Sequence, residues 1–166
     1  MPNDPRAPGD LLKLGDEVVR RHVLFAMGLG LIPIPILDFV AISAIQLDML
    51  RQLCRLYGHS FSESEGKYWV TSLTGSYLAR LGATAIKAIP GIGSLVGGVS
   101  MSVLSGAATY AIGKVFLRHF DAGGSPFDIN LGKYREYYEE QFEKGKRVAE
   151  ELRKRRREGR TDPSES

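Results

Sequence analysis

The chain of 166 residues has the length of one ordinary domain, and its 43% apolar and 25% charged residues are typical of a folded protein rather than a disordered one. Its single cysteine, Cys54, excludes an intramolecular disulfide and fits a reducing compartment. The net charge of +3 is unevenly distributed, because residues 133–160 carry 11 basic and 7 acidic side chains. Binding to an anionic surface is therefore expected of the C-terminal segment.

The sequence predicts helices throughout, with no alternating strand pattern of any length. Residues 1–9 contain no basic region that leads into an apolar stretch, so we expect no cleaved signal peptide and a disordered lead. Asp10 can cap a first helix. Pro33 and Pro35 should end this helix, since proline lacks an amide hydrogen and disfavours helix in the residue before it.

A second helix is expected from about residue 37 to residue 57, with Gly58 as its stop. Asp38 falls in its first turn, where a carboxylate can accept free amide hydrogens and opposes the positive end of the helix dipole. Asp38 and Gln46 are eight residues apart and share roughly one face. Two interpretations of this pair remain open: buried hydrogen bonds that fix the packing against the third or fourth helix, or the lining of a polar pocket.

Three further helices complete the predicted fold. The third begins at the capping-box spacing of Ser62 and Glu65 and continues to about residue 88. A glycine-rich fourth helix extends over about residues 94–120, and Asp128 can cap a charged amphipathic fifth helix. The predicted organisation is a helical hairpin domain over 10–124, the charged helix over 125–158 and a disordered tail over 159–166.

An internal match relates the two proline turns. With an offset of 57 residues, six identities occur over 24 positions, which exceeds what this composition gives by chance. The match predicts an all-α core of two stacked helical hairpins, each bent at an Ile-Pro turn. The matched residues are Leu24, Ala26, Ile32, Pro33, Ser43 and Leu47 with Leu81, Ala83, Ile89, Pro90, Ser100 and Leu104.

Small residues recur in and before the fourth helix at spacings of three to five positions. Such a ridge lets another backbone approach closely and is common where helices pack inside a bilayer. Glycine in a water-exposed helix costs roughly 1 kcal/mol against alanine, so the glycines favour close packing. The candidate helix-packing ridge consists of Gly93, Gly97, Gly98, Gly106 and Gly113.

The charge pattern leaves the topology open. Residues 88–113 contain no charge and are long enough to span a hydrocarbon core, but they could also be the buried centre of a soluble bundle. Basic residues at the open ends of the predicted hairpins indicate a hairpin that dips into one leaflet, with a basic rim on the cytoplasmic side. This basic rim consists of Arg20, Arg21, Arg51, Arg55, Lys114 and Arg118. Arg80 and Lys87 depart from the same pattern in the second hairpin.

Five consecutive basic residues close the fifth helix. They are compatible with a solvated helix end, with an anionic lipid surface and with nucleic acid. No recognised nucleic-acid-binding module accompanies them, so we expect lipid or a protein partner, on the same side as the basic rim. This basic tail consists of Arg153, Lys154, Arg155, Arg156 and Arg157.

Two motifs in this order resemble the YcjF-like family of bacterial proteins, domain of unknown function 697, over about residues 18–124. The first motif contains Ile32, Pro33, Pro35, Leu37, Asp38, Gln46, Met49, Tyr57 and Gly58, and the second contains residues 89–93, 97–98 and 109–113. The resemblance implies a protein at the cytoplasmic side of the bacterial inner membrane that works with a dynamin-like or Era-like GTPase. This chain has no Gly-x-x-x-x-Gly-Lys-Ser/Thr phosphate loop, so it would be the partner without GTPase activity.

No residues form a recognisable catalytic constellation. His22, His59 and His119 are far apart and lack a cysteine or carboxylate at ligand spacing, so we expect no metal. Cys54 on an apolar helix is interpreted as a small buried hydrophobe rather than a nucleophile. We therefore expect no enzyme and no cofactor, but a membrane-associated helical module that acts through a GTPase or other protein partner, with a homo-oligomer left open. The alternative is a soluble, cytoplasmic helical bundle that serves as an adaptor or binds a hydrophobic ligand.

Overall fold

The computed structural model describes residues 8–29, 35–88 and 101–159. Within these ranges all regular structure is helical, which confirms the all-α prediction. Five α-helices are present there: α1 (Pro8–Leu29), α2 (Pro35–Leu56), α3 (Glu63–Ala88), α4 (Met101–Asp121) and α5 (Arg135–Glu158), with a 3-10 turn (Leu131–Tyr134) before α5. Both predicted Ile-Pro bends, at Pro33 and Pro90, lie outside the described residues.

The ends of α2 follow from its sequence. Its first residue is Pro35, two positions before the predicted start, and proline suits this place because the first helical residue needs no amide hydrogen. Beyond its last turn Gly58 has a φ of 75°, a left-handed conformation that glycine adopts without strain. The amide of His59 then donates to the carbonyl of Cys54 at 2.7 Å, which satisfies an end carbonyl of the helix.

The fourth helix forms the centre of the molecule. It packs against α1 on one side and α5 on the other, while α2 packs mainly on α1 and also contacts α3 and α4. Fifteen of its 21 residues are buried, so the absence of charge from its residues 101–113 is explained by burial among other helices. The largest fully buried side chains around it are Val19, Val23, Met49, Leu50, Leu53, Leu73, Ile112, Phe116, Leu117 and Tyr138.

Side-chain contacts fix the directions of the central helices. Near one end of α4, Lys114 forms an ion pair with Asp16. Near the other end, Ser102 donates a hydrogen bond of 2.7 Å to the carbonyl of Met27. Because the higher residue number on α1 meets the lower one on α4, the two helices are antiparallel.

The loop before α5 corrects one sequence prediction. Asp128 does not cap a helix: its carboxylate accepts the amide of Ser125 at 2.9 Å and the ring nitrogen Nε2 of His119 at 2.8 Å. The cap is instead Asn130, whose side chain accepts the amide of Lys133 at the start of the 3-10 turn. The sequence places both side chains before the helix, and only the loop geometry selects between them.

Candidate functional site

The direction of α5 decides where the basic tail lies. Arg118 lies over the ring of Tyr137 at 4.3 Å, while Gly106 faces Ala149. Residues early in α5 therefore contact residues late in α4, and residues late in α5 contact residues early in α4. The two helices are antiparallel, and α5 ends beside the start of α4. The nine residues after Ala149 extend the helix by about 14 Å further in that direction.

This placement divides the predicted basic rim, because Arg155 of the basic tail lines one groove with Arg20 and Lys114, two members of that rim. Arg51 and Arg55 lie in the last turns of α2, at the opposite end of the bundle from the start of α4. The basic tail therefore does not share one side with them. The expected shared side thus holds for Arg20 and Lys114 but not for Arg51 and Arg55, because packing on α4, and not the open ends of two hairpins, sets the course of α5.

Four of the eight exposed large apolar side chains among the described residues lie toward the end of the bundle where the basic tail lies. We name this group, Leu24, Phe25, Val40 and Met101, the apolar end. Leu24 and Phe25 lie in the second half of α1, Val40 in the second turn of α2, and Met101 opens α4. Their exposed fractions of 41, 56, 63 and 53% are high for large apolar side chains. A cluster of this kind marks a contact with a membrane or with another protein.

A groove of about 330 Å³ lies between α1 and α5, with α4 as its floor. Lys114 contributes its ammonium group, which pairs with Asp16 and lies 5.6 Å from the ring centroid of Tyr110. Arg20 and Arg155 also line the groove, and the structure shows no hydrogen-bond or ion-pair partner for either guanidinium group among the described residues. The remaining lining residues are Val19, Val23, Val148, Glu151 and Leu152.

Two glycines of the candidate ridge lie at close helix contacts. A Cβ atom on Gly106 would lie 2.7 Å from Cγ of Met27 on α1 and 3.2 Å from Cβ of Ala149 on α5. One on Gly113 would lie 2.5 Å from Cγ2 of Val19. A side chain at either position would push α1 away from α4. The other three members, Gly93, Gly97 and Gly98, lie outside the described residues.

Sequence reasoning missed a further close contact, at Gly145 on α5. A Cβ atom there would lie 3.0 Å from both Cα and the carbonyl oxygen of Ala107. The obstacle is backbone, which a change of rotamer cannot move. The available signal was an isolated glycine inside a helical pattern, which commonly marks such an approach.

The candidate polar pair is described in part. Gln46 is buried and donates a hydrogen bond of 3.3 Å to the hydroxyl of Thr109 on α4. Thr109 donates in turn to the carbonyl of Ser105 at 2.9 Å. The side chain of Asp38 lies outside the described residues, so its part in this network stays a prediction. Gln46 by itself links α2 to α4.

A second polar network joins α1 to α2. His22 is buried, and its Nδ1 donates to the carbonyl of Val18 at 2.7 Å. Its Nε2 lies 3.1 Å from a carboxylate oxygen of Asp48, which also accepts the amide of Gln52 at 2.7 Å. This hydrogen bond from His22 holds the pKa of Asp48 below its ordinary value. Both ring nitrogens serve packing and neither faces an open site.

The remaining reactive groups are also held in structural roles. Nε2 of His119 donates to Ser125 and Asp128, while its Nδ1 accepts from the hydroxyl of Tyr134 at 3.2 Å. Burial raises the pKa of the Cys54 thiol to about 11, so the thiolate that would act as a nucleophile is disfavoured. Over the described ranges, no three His, Cys, Asp or Glu side chains gather into a possible metal site.

Over the described residues, these features define an all-helical protein that carries its basic tail and four exposed apolar side chains toward one end. The chain belongs to the family described as Domain of unknown function (DUF697), whose model matches residues 14–147, and this confirms the resemblance drawn from the two motifs. A relative is Magnetosome membrane protein 22 of Magnetospirillum gryphiswaldense, which is 38% identical over 148 residues. The match covers 86% of this chain and 76% of the relative.

No solved structure matches the chain. In the described parts of the chain, no helix combines the length and the apolar character needed to cross a membrane.

Proposed function

We propose that this chain is a membrane-associated helical module that contacts one leaflet through its apolar end. The observation that carries the proposal is the exposure of Leu24, Phe25, Val40 and Met101 at one end of the bundle. Burying a large apolar side chain contributes about 1.5–3 kcal/mol each, so four together support a stable contact with a lipid surface. The name of the relative, a membrane protein, agrees with this proposal.

The basic tail supports a particular side of the membrane. Arg155 and Arg156 are exposed beyond the contact of α5 with Gly106, next to the apolar end. Each basic residue near an anionic leaflet contributes about 1 kcal/mol. We therefore place the chain at the cytoplasmic side of the bacterial inner membrane, where basic segments are favoured.

The test is cell fractionation with washes of salt and then carbonate. A chain held by both apolar and ionic contacts should stay with the membranes in salt. Phe25→Ser should shift it toward the soluble fraction, whereas Phe127→Ser, which changes an exposed phenylalanine in the loop before α5, should not. Recovery of the native chain in the soluble fraction without detergent would refute the proposal. That result would favour the alternative, a soluble adaptor whose apolar end binds a protein partner.

We further propose that the chain is not an enzyme and acts through a protein partner, a GTPase. In support, the ring nitrogens of His22 and His119 are engaged in packing, and the thiol of Cys54 is buried. The GTPase rests on the family resemblance alone. Affinity purification from gently solubilised membranes should recover a protein with a phosphate loop. A set of partners without any such protein would remove the GTPase from the proposal and leave membrane association standing.

A further inference from the structure

The geometry points to a phosphate-binding site in the groove between α1 and α5, where Arg20 and Arg155 hold the phosphate of an anionic lipid. The site deepens the proposed membrane association and, for its lipid source, rests on it. It also gives the contact an orientation, because only a lipid beside the groove can reach both arginines.

The two guanidinium groups carry the inference. Arg20 comes from α1 and Arg155 from α5, and both line one groove without a hydrogen-bond or ion-pair partner among the described residues. A guanidinium group presents parallel N–H donors that match the oxygens of a phosphate. Two such groups from separate helices can hold one phosphate between them.

The charge of the groove selects the kind of phosphate. Arg20, Lys114 and Arg155 are opposed there by Asp16 and Glu151, which leaves one positive charge in excess. A phosphodiester carries a single negative charge and balances this excess. A polyphosphate would bring several charges close to two carboxylates, which oppose it.

The surroundings of the groove favour a lipid as the source of the phosphate. Val23 and Leu152 line it with apolar surface. Leu24, one helical turn after Arg20, lies on the same face of α1 and belongs to the apolar end. If Arg20 and Arg155 hold the phosphate of a lipid, the acyl chains of that lipid would therefore extend along exposed apolar side chains.

The first experiment measures binding to vesicles of phosphatidylcholine with and without phosphatidylglycerol. Arg20→Gln and Arg155→Gln should each weaken binding to the anionic vesicles by about ten-fold or more, as expected for the loss of a charge-assisted hydrogen bond. The matched control is Arg156→Gln, which removes the same charge at the neighbouring exposed position but does not line the groove. High salt should abolish the control's smaller effect and spare much of the other two, because the parallel hydrogen bonds of a guanidinium–phosphate pair persist when the longer-range charge attraction is screened.

Equal losses for Arg155→Gln and Arg156→Gln at every salt concentration would overturn the groove and leave a diffuse basic surface. The double variant Arg20→Gln with Arg155→Gln gives a second criterion. If both arginines hold one phosphate, the loss in the double variant should be smaller than the two single losses combined. Fully additive losses would contradict a shared phosphate.

A second experiment separates the groove from membrane association. The melting temperature is measured with inorganic phosphate and with short-chain phosphatidylglycerol below its micelle-forming concentration. A rise with the short-chain lipid that is lost in the double variant supports a lipid site, even if the chain binds no vesicles and the proposed function fails. A rise with inorganic phosphate alone would assign the site to a free phosphate. No rise with either ligand would refute the site.

Discussion

Substitution of Gly145 by alanine should separate α4 from α5 and destabilise the protein. The added methyl group would lie 3.0 Å from the backbone of Ala107, whereas ordinary contacts lie at 3.4–4 Å. The two helices would have to move apart by several tenths of an ångström. Buried side chains on α5, including Tyr138 and Phe142, would lose part of their packing.

The magnitude follows from two opposing effects. Replacing glycine by alanine inside a helix stabilises it by about 0.4–1 kcal/mol, chiefly through the unfolded state. Overpacking a close contact costs about 1–3 kcal/mol. The matched control is Gly75→Ala on α3, where the methyl group would meet nothing within 4 Å. Both changes gain helix propensity, so their difference isolates the clash with α4.

The assay is thermal unfolding of the two variants and the native chain, followed by circular dichroism. Gly75→Ala should raise the melting temperature slightly, and Gly145→Ala should lower it. For a chain of this length, 1 kcal/mol shifts the melting temperature by about 2–4 °C, which predicts a difference of roughly 2–12 °C between the variants. If Gly145→Ala stabilises the chain as much as Gly75→Ala does, the close approach of α4 and α5 is refuted.

Three further predictions concern polar groups on α2 and α4. Thr109→Val should leave the amide of Gln46 without a partner and lower the free energy of unfolding by about 1–3 kcal/mol. Adding Gln46→Leu should recover part of this loss in chemical denaturation, and additive losses would argue against the bond. The hydrogen bond from His22 lowers the pKa of Asp48 in the folded state. The ionised carboxylate therefore stabilises the fold at pH values above the pKa that Asp48 has in the unfolded chain. This contribution is lost as the pH falls through the lower pKa of the folded state. Melting temperatures measured into the acid range should thus fall less steeply for Asp48→Asn than for the native chain, and parallel curves would exclude the effect. Burial raises the pKa of the Cys54 thiol to about 11, so the thiol should resist a thiol reagent at neutral pH in the native protein and react in denaturant. Intact mass measures the reaction, and equal rates in the native and the denatured protein would contradict the burial of Cys54.

The helices were largely predictable because each end carries a local signal. The start of α3 at Glu63 directly follows the serine of the predicted capping box, and α5 ends at the predicted residue, Glu158. α1 begins at Pro8 rather than at the predicted cap, Asp10, and α2 begins at Pro35 rather than near residue 37. In both cases proline takes the first helical position; sequence reasoning had treated Pro35 only as a stop and had placed Pro8 in the disordered lead.

The candidate site was less predictable because it depends on which helices meet. The sequence indicated that the glycines of α4 serve packing and left Gln46 open between packing and a polar pocket. Their partners Thr109, Met27 and Val19 come from distant parts of the chain. The groove was not predicted at all. No local pattern relates Arg20 to Arg155, which are 135 positions apart in the sequence.

By itself, the sequence determined the helical class, several helix ends and the presence of a basic tail, because periodicity, proline and charge act over a few neighbouring residues. Only the tertiary structure decided the surface on which that tail lies. α5 packs antiparallel on α4 through the contact of Gly145 with Ala107, and this carries the tail to the end marked by Leu24 and Phe25. The direction of one helix along another depends on the fit of two distant surfaces, and that fit is not encoded in either segment alone.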